Sequence, residues 1–165
     1  MFPCGDGDGW ARCEQGHEHW GVFGAAGLLL WHDDRVLLQH RALWSHHGGT
    51  WGILGGARNR GESAEQAALR EAGEEAGVDP AGVTTTGSFV DDHGGWSYTT
   101  VIARATAAMH LTALTAETIE VCWVPVDDLG SVPLHPGFAA TWETVRAVSA
   151  AVSPGRGRTR TARSG

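Results

Sequence analysis

Lysine is absent from the 165 residues, and all twelve basic side chains are arginine. With abundant Ala and Gly, that usage points to a GC-rich coding sequence and says little about function. Cysteine is scarce, three in the chain, which argues against a disulfide framework. No stretch approaches the roughly eighteen apolar residues of a membrane span, and the start MFPCGDGDGW has neither the basic nor the apolar region of a signal peptide. A cytoplasmic protein without a membrane partner is expected. Positive charge is also short: nineteen acids leave a net charge of −7. Four arginines fall in the last stretch, SPGRGRTRTARSG, so residues 1 to 152 carry eight Arg against all nineteen acids. Such a body repels polyanions and argues against nucleic acid as a general partner, although the tail alone can make weak, salt-sensitive phosphate contacts.

What is present suffices for one compact domain: 42% apolar residues and eight tryptophans can bury a substantial core. Two apolar runs, 22–31 and 35–40, flank His32-Asp33-Asp34 and predict a strand hairpin. A His- and Gly-rich loop, 42–50, leads to a short strand at 51–54, a glycine turn at Gly55-Gly56 and a helix at 63–76. Strands are expected at 83–91, 97–109 and 119–124, and a last helix at 138–152, opened by Pro136-Gly137. Mixed strands with helices on either side suggest an α/β/α sandwich over a mixed sheet. The expected organisation is an N-terminal extension (1–20), a domain (21–152) and a disordered basic tail (153–165), whose Gly, Ser, Thr and Arg cannot build a core.

The chemistry is concentrated in residues 56–78, GARNRGESAEQAALREAGEEAGV. On a helix at about 100° per residue, Glu71, Glu74 and Glu75 share an arc of roughly 100°, while Leu69, Ala72, Gly73 and Ala76 occupy a neighbouring face. The Glu71–Glu74 and Glu71–Glu75 pairs repel by about 0.2–0.5 kcal/mol each in an isolated helix, with only Arg70 near enough to offset them. Under-compensated carboxylates suit a hard divalent ion, and no thiol or imidazole on this helix favours a softer one. Mg²⁺ or Mn²⁺ is implied. Ser63 is a plausible N-cap, Glu62 supplies a further carboxylate, and Gly55-Gly56 would permit a sharp turn with an exposed carbonyl.

In order and spacing, Gly56, Glu62, Arg70-Glu71, Ala72, Glu74-Glu75, Gly77 and Val78 resemble the signature of the Nudix hydrolases, without gap or substitution at its fixed positions. The signature spans about a seventh of the chain; the strand pattern extends the likeness over roughly 20 to 150. The resemblance implies the Nudix α/β/α sandwich and a metal-dependent hydrolase that cleaves a diphosphate linkage in nucleoside diphosphate-X compounds, with nucleoside triphosphates (MutT-like) among the candidates. The alternative is a Nudix-like nucleotide-sensing module without turnover. It further implies a metal site from the Gly55 carbonyl and Glu71, Glu74 and Glu75, oriented by Arg70, with Glu71 the first choice of general base. Glu117 and Glu120 are candidates for an extra metal ligand or the base, against ordinary strand-edge charge. Arg41 matches a position where related enzymes often place a phosphate-binding Arg, and a guanidinium fork suits phosphate oxygens.

Other candidates rest on residue type alone. Trp96 or Tyr98 can stack on a base while His93 hydrogen-bonds a polar edge, although a core role fits such aromatics as well. The same balance holds for Trp44, His46 and His47. Cys4, Cys13, His17 and His19 suggest a small zinc site but lack the paired CxxC knuckle, so unliganded thiols are the simpler reading. Cys122, between Val121 and Trp123, reads as core. Leu54 stands where relatives commonly carry Pro, which would loosen the entry to the glycine loop, and Gly73 inside the helix should cost about 1 kcal/mol relative to Ala. Substrate, cleaved phosphorus, metal count and assembly, monomer or homodimer, are left open.

Overall fold

The computed structural model describes residues 5–151. The expected basic tail and Cys4 lie outside them. The strands are β1 (Trp10–Arg12), β2 (Glu18–Trp20), β3 (Ala25–His32), β4 (Arg35–Arg41), β5 (Trp51–Gly52), β6 (Leu54–Ala57), β7 (Val83–Asp92), β8 (Ser97–Ala105) and β9 (Thr118–Pro125). The helices are α1 (Ala64–Ala76) and α2 (Pro136–Ala151). Seven strands form one mixed sheet in the order β5-β4-β3-β8-β7, with β6 also on β3 and β9 on β4. Only β3 and β8 run parallel among these pairs.

Both faces are covered, and the alternation of side chains along the strands divides them. Leu28, Leu30 and Leu37 turn to one face and pack with Leu54, Val101 and the α1 alanines Ala67, Ala68, Ala72 and Ala76. Leu29, Val36, Leu38 and Ile102 turn to the other, beneath Phe138, Trp142 and Val145 of α2. With helices on both sides, β3 is buried along most of its length, which is why it reads as a continuous apolar run rather than an alternating one. The expected α/β/α sandwich is the observed architecture.

Three local expectations change. The strand at 51–54 is two pieces, and Gly55-Gly56 lies inside β6 rather than in a turn, paired with Gly27 and Ala26 of β3. Glycine is needed there for close approach: a Cβ on Gly55 would sit 2.5 Å from Gly27 Cα. Leu54 is therefore not the entry to a loop but a fully buried strand residue under α1. The N-terminal extension, where the sequence pattern places no element, contains the β1–β2 hairpin, whose three-residue strands are too short to show a period.

Candidate active site

Helix α1 starts where Ser63 accepts the Gln66 N–H and Gln66 returns a bond to the Ser63 N–H, a complete capping box. It ends at Gly77, whose φ of 75° is the left-handed conformation that glycine adopts freely. These caps set the rotation of the helix, so that one side packs on the sheet and the Glu71–Glu75 turn faces β6.

Arg70 organises that turn. Its Nε and Nη2 donate to the two Glu62 oxygens at 2.8 and 3.0 Å, Nη2 also to the Ala57 carbonyl at 2.9 Å, and Nη1 to Glu71 at 2.7 Å and Glu74 at 3.4 Å. Glu62 also accepts the Asn59 N–H at 2.8 Å. The Arg70 bond, first among the causes, holds the Glu62 carboxyl below its usual range. Reciprocally, Glu62 keeps the Arg70 guanidinium protonated more firmly than usual. Glu62 is thus the anchor of the arginine.

The three glutamates share an arc but differ in environment. Glu74 is exposed, whereas Glu75 is only 9% accessible and counts among the buried residues of α1. Burial, then the neighbouring Glu71 charge, pushes the Glu75 carboxyl up to about 8, although the Gly55 N–H donates to it at 3.0 Å. Glu71 is raised too, because burial outweighs its bond from Arg70. Its carboxylate lies against Gly56, where a Cβ would come within 2.6 Å of Glu71 Cδ. Two neighbouring carboxyls, both pushed up by burial, are an environment that a divalent cation compensates.

Arg41 and Tyr98 face the same place. The Arg41 charge reaches Glu75 and the Tyr98 hydroxyl, and Arg41 Nε donates to the His46 carbonyl at 3.0 Å. The Tyr98 hydroxyl lies over Gly27, its acidity suppressed first by burial and then by Glu75. A residue not foreseen from sequence, buried Gln39, bonds the Ile53 carbonyl at 3.2 Å, accepts from Thr118 at 2.7 Å and steadies Glu75. A polar residue amid the apolar run of β4 was the available signal.

Glu120 is not brought there. The register shifts between His40 and Arg41, leaving Ile119 as an extra residue, so Thr118 reaches Gln39 on the α1 face; Glu120, in step with Cys122 and Val124, lies on the α2 face. There it meets His40 at 3.7 Å and Cys122 at 3.7 Å. Glu117 is an exposed rim residue whose carbonyl accepts the Ala42 N–H. His93 and Trp96, in the β7–β8 turn, pack against the N-terminal hairpin: Trp96 stacks on His19 at 4.0 Å and donates to the Gly21 carbonyl. Trp44 is exposed, and His46 and His47 gather with His135 near Arg41. Among the described residues, the metal-ligand groupings with all donors within 4.8 Å of one another are histidine clusters rather than the Glu71–Glu74–Glu75 set. Arg70 holds Glu71 and Glu74, and the Gly55 N–H holds Glu75.

Residues 23–148 match the NUDIX domain. The chain belongs to the Nudix family. Over 161 residues it is 45% identical to a protein of Mycobacterium tuberculosis named "Putative 8-oxo-dGTP diphosphatase 3", covering 90% of this chain and 73% of that one. The crystal structure of the Nudix hydrolase RenU from M. smegmatis superposes with a TM-score of 0.81 at 44% identity, covering 90% of this chain and 98% of that one. The NUDIX domain of Shewanella oneidensis NrtR, solved with ADP ribose, gives 0.58 at 25% identity, covering 79% and 90%. This Nudix protein is a pyrophosphohydrolase acting on nucleotide diphosphate linkages, and its family requires a divalent metal. Among the described residues, no helix is long and apolar enough to cross a membrane.

Proposed function

We propose that this Nudix hydrolase acts in the cytoplasm on nucleoside triphosphates, with an oxidised purine deoxynucleotide of the 8-oxo-dGTP kind as preferred substrate and Mg²⁺ as its ion. The observation that carries the site is the pair of half-buried Glu71 and buried Glu75, backed by Arg70 and faced by Arg41. The substrate class rests on the relative named for 8-oxo-dGTP, which is alike over most of both chains. We further assign residues 1–20 to an extension of the 21–152 domain, in keeping with the match over 23–148.

In this reading Glu71, Glu74, Glu75 and the Gly55 carbonyl would hold the metal, and Arg70 is a positioning residue. All the donors are hard oxygens, which suit Mg²⁺. When bound, the ion neutralises the anhydride and acidifies a water. Glu71, lifted by burial, takes the proton of the attacking water, the new P–O bond forms, and the bridging P–O bond breaks to release the phosphate leaving group. Arg41 receives phosphate oxygens through its planar fork, and the Tyr98 hydroxyl orients the Glu75 side of the site. Glu117, at the rim beside Arg41, is the remaining candidate for a second ion.

The sensing alternative requires binding without turnover. Retention of Glu71, Glu74, Glu75 and their Arg70 anchor favours catalysis. A product-resolved assay of 8-oxo-dGTP, dGTP, ADP ribose and a dinucleoside polyphosphate, each with Mg²⁺, Mn²⁺ and excess EDTA, tests both. The expected result is highest kcat/KM on 8-oxo-dGTP with Mg²⁺ and no turnover in EDTA. Faster cleavage of ADP ribose would reassign the substrate, and binding without any product would favour the sensor.

A further inference from the structure

Cys13, His17, His19 and His93 lie outside the carboxylate site, yet one donor atom of each stands within 4.8 Å of the others. Cys13 and His17 bracket the tip of the β1–β2 hairpin, tied by the Cys13 N–H to the His17 carbonyl at 3.0 Å and the Gly16 N–H to the Cys13 carbonyl at 2.9 Å. His19 follows on β2. His93 arrives from the distant β7–β8 turn, which curls through Gly94 and Gly95, both at φ 74°, and accepts the Glu14 N–H on the Gly94 carbonyl at 2.9 Å. Two parts of the chain converge on one point.

Two observations show that this convergence is more than packing. His19 Nε2 is buried without a hydrogen-bond partner, a state that costs about 1–3 kcal/mol unless something fills it. His93 Nε2 stands 3.1 Å from Asp91 Oδ2, so that with its proton donated to the carboxylate the ring presents Nδ1 as a lone pair. A carboxylate behind an imidazole is the usual support of a metal-ligating histidine.

We propose that Cys13, His17, His19 and His93 form a structural zinc site. A thiolate and three imidazoles are borderline-soft donors that suit Zn²⁺ over Mg²⁺ or Ca²⁺, and four of them complete a tetrahedron with no position open for catalysis. Zn–N near 2.0 Å and Zn–S near 2.3 Å place tetrahedral donors roughly 3.3–3.6 Å apart, a contraction within reach of side-chain torsions. The missing fourth ligand of a Cys13-His17-His19 set is therefore His93, supplied by tertiary structure.

The hairpin needs such a clip. Its strands have three paired residues each, none of them belongs to either hydrophobic core, and Trp10 and Trp20 are 57% and 46% exposed. An isolated two-stranded hairpin of this kind is marginal. Zinc would pin it to the β7–β8 turn and, through His19, fix Trp96. The same segment reaches the loop before α1, where Asp6 accepts the Arg60 N–H at 2.9 Å.

The test is elemental analysis of the full-length protein, expressed with zinc and dialysed into magnesium buffer. About one zinc per chain is expected, kept by Glu74→Gln and lost by Cys13→Ser and by His17→Ala. His17 is exposed, so its removal leaves the fold intact even if Cys13→Ser does not. Cobalt exchange should give the intense visible bands of a tetrahedral ion with a near-ultraviolet thiolate-to-cobalt transition, and Cys13→Ser should lack that transition. Zinc below about a tenth of an equivalent with no cobalt spectrum, or zinc that survives both substitutions, overturns the site. Neither result bears on turnover of nucleotides.

Discussion

Glu75 accepts the backbone N–H of Gly55 at 3.0 Å from within the sheet–helix interface, so a helix carboxylate and a strand glycine are joined across the site. Burial makes that carboxyl a weak acid. Its folded value near 8 lies above its ordinary value, so the metal-free folded state binds the extra proton and loses stability as pH rises from about 4.5 toward 8. Melting in EDTA should therefore fall between about pH 5 and 8, by about 2–4 °C per kcal/mol in a chain of this size, and Glu75→Gln should flatten the slope. A parent curve that is level across this range would refute the burial of a charge.

The same proton competes with the cation. Below pH 8 each unit should weaken Mg²⁺ binding up to about tenfold, since Glu75 must lose its proton first. Calorimetry in buffers of different ionisation heat should show proton release near pH 7. Release that is absent at pH 7 would remove Glu75 from the ligand set.

Arg70 carries more bonds than any other side chain in the site, reaching three glutamates and a carbonyl. Lysine keeps the charge but not the fork. Arg70→Lys should lower kcat by about tenfold or more and urea stability by about 1–3 kcal/mol, while Glu71→Gln should lower kcat by a hundredfold or more, on the order of 3 kcal/mol, with folding kept. Equal losses of stability in both variants would contradict the division between anchor and reactive group.

Gly56 is the steric test. Its Cβ would press on the Glu71 carboxylate, whereas a Cβ on Gly130 meets open space. Gly56→Ala should cut kcat by about tenfold or more, and Gly130→Ala should leave it unchanged. Comparable steady-state kinetics for the two would show that Glu71 has room to move.

His135 responds to acid. Burial, then His47, lowers its imidazole to about 4, so the unfolded state takes up the proton first and stability is lost as pH falls from about 6.5 toward 4. His135→Gln should make the melting temperature less sensitive to pH across that window. An unchanged pH slope would mean that the imidazole is hydrated.

Local spacing determined much of this protein. The order of Gly56, Glu62, Arg70, Glu71, Glu74 and Glu75 identifies the family, Ser63 and Gly77 bound the helix, and unbroken apolar runs in β3 and β4 announce a sheet covered on both faces. Those features depend on residues a few positions apart, whose geometry the helix and strand periods set in advance. What depended on distant pairing was open until the chain folded. The extra residue at Ile119 turns Thr118 to the Gln39 face, a change invisible to a period of two, while Glu120 keeps the face of Cys122 and Val124. Glu75 shares an arc with the exposed Glu74 on a helical projection, and only the seating of α1 on β6 buries it. Gly55-Gly56 resembled a turn because glycine permits both turning and close approach, and the β3 pairing selected the second. His93 was separated from His19 by most of the domain, so the β7–β8 turn alone decided that it stands beside Cys13, His17 and His19.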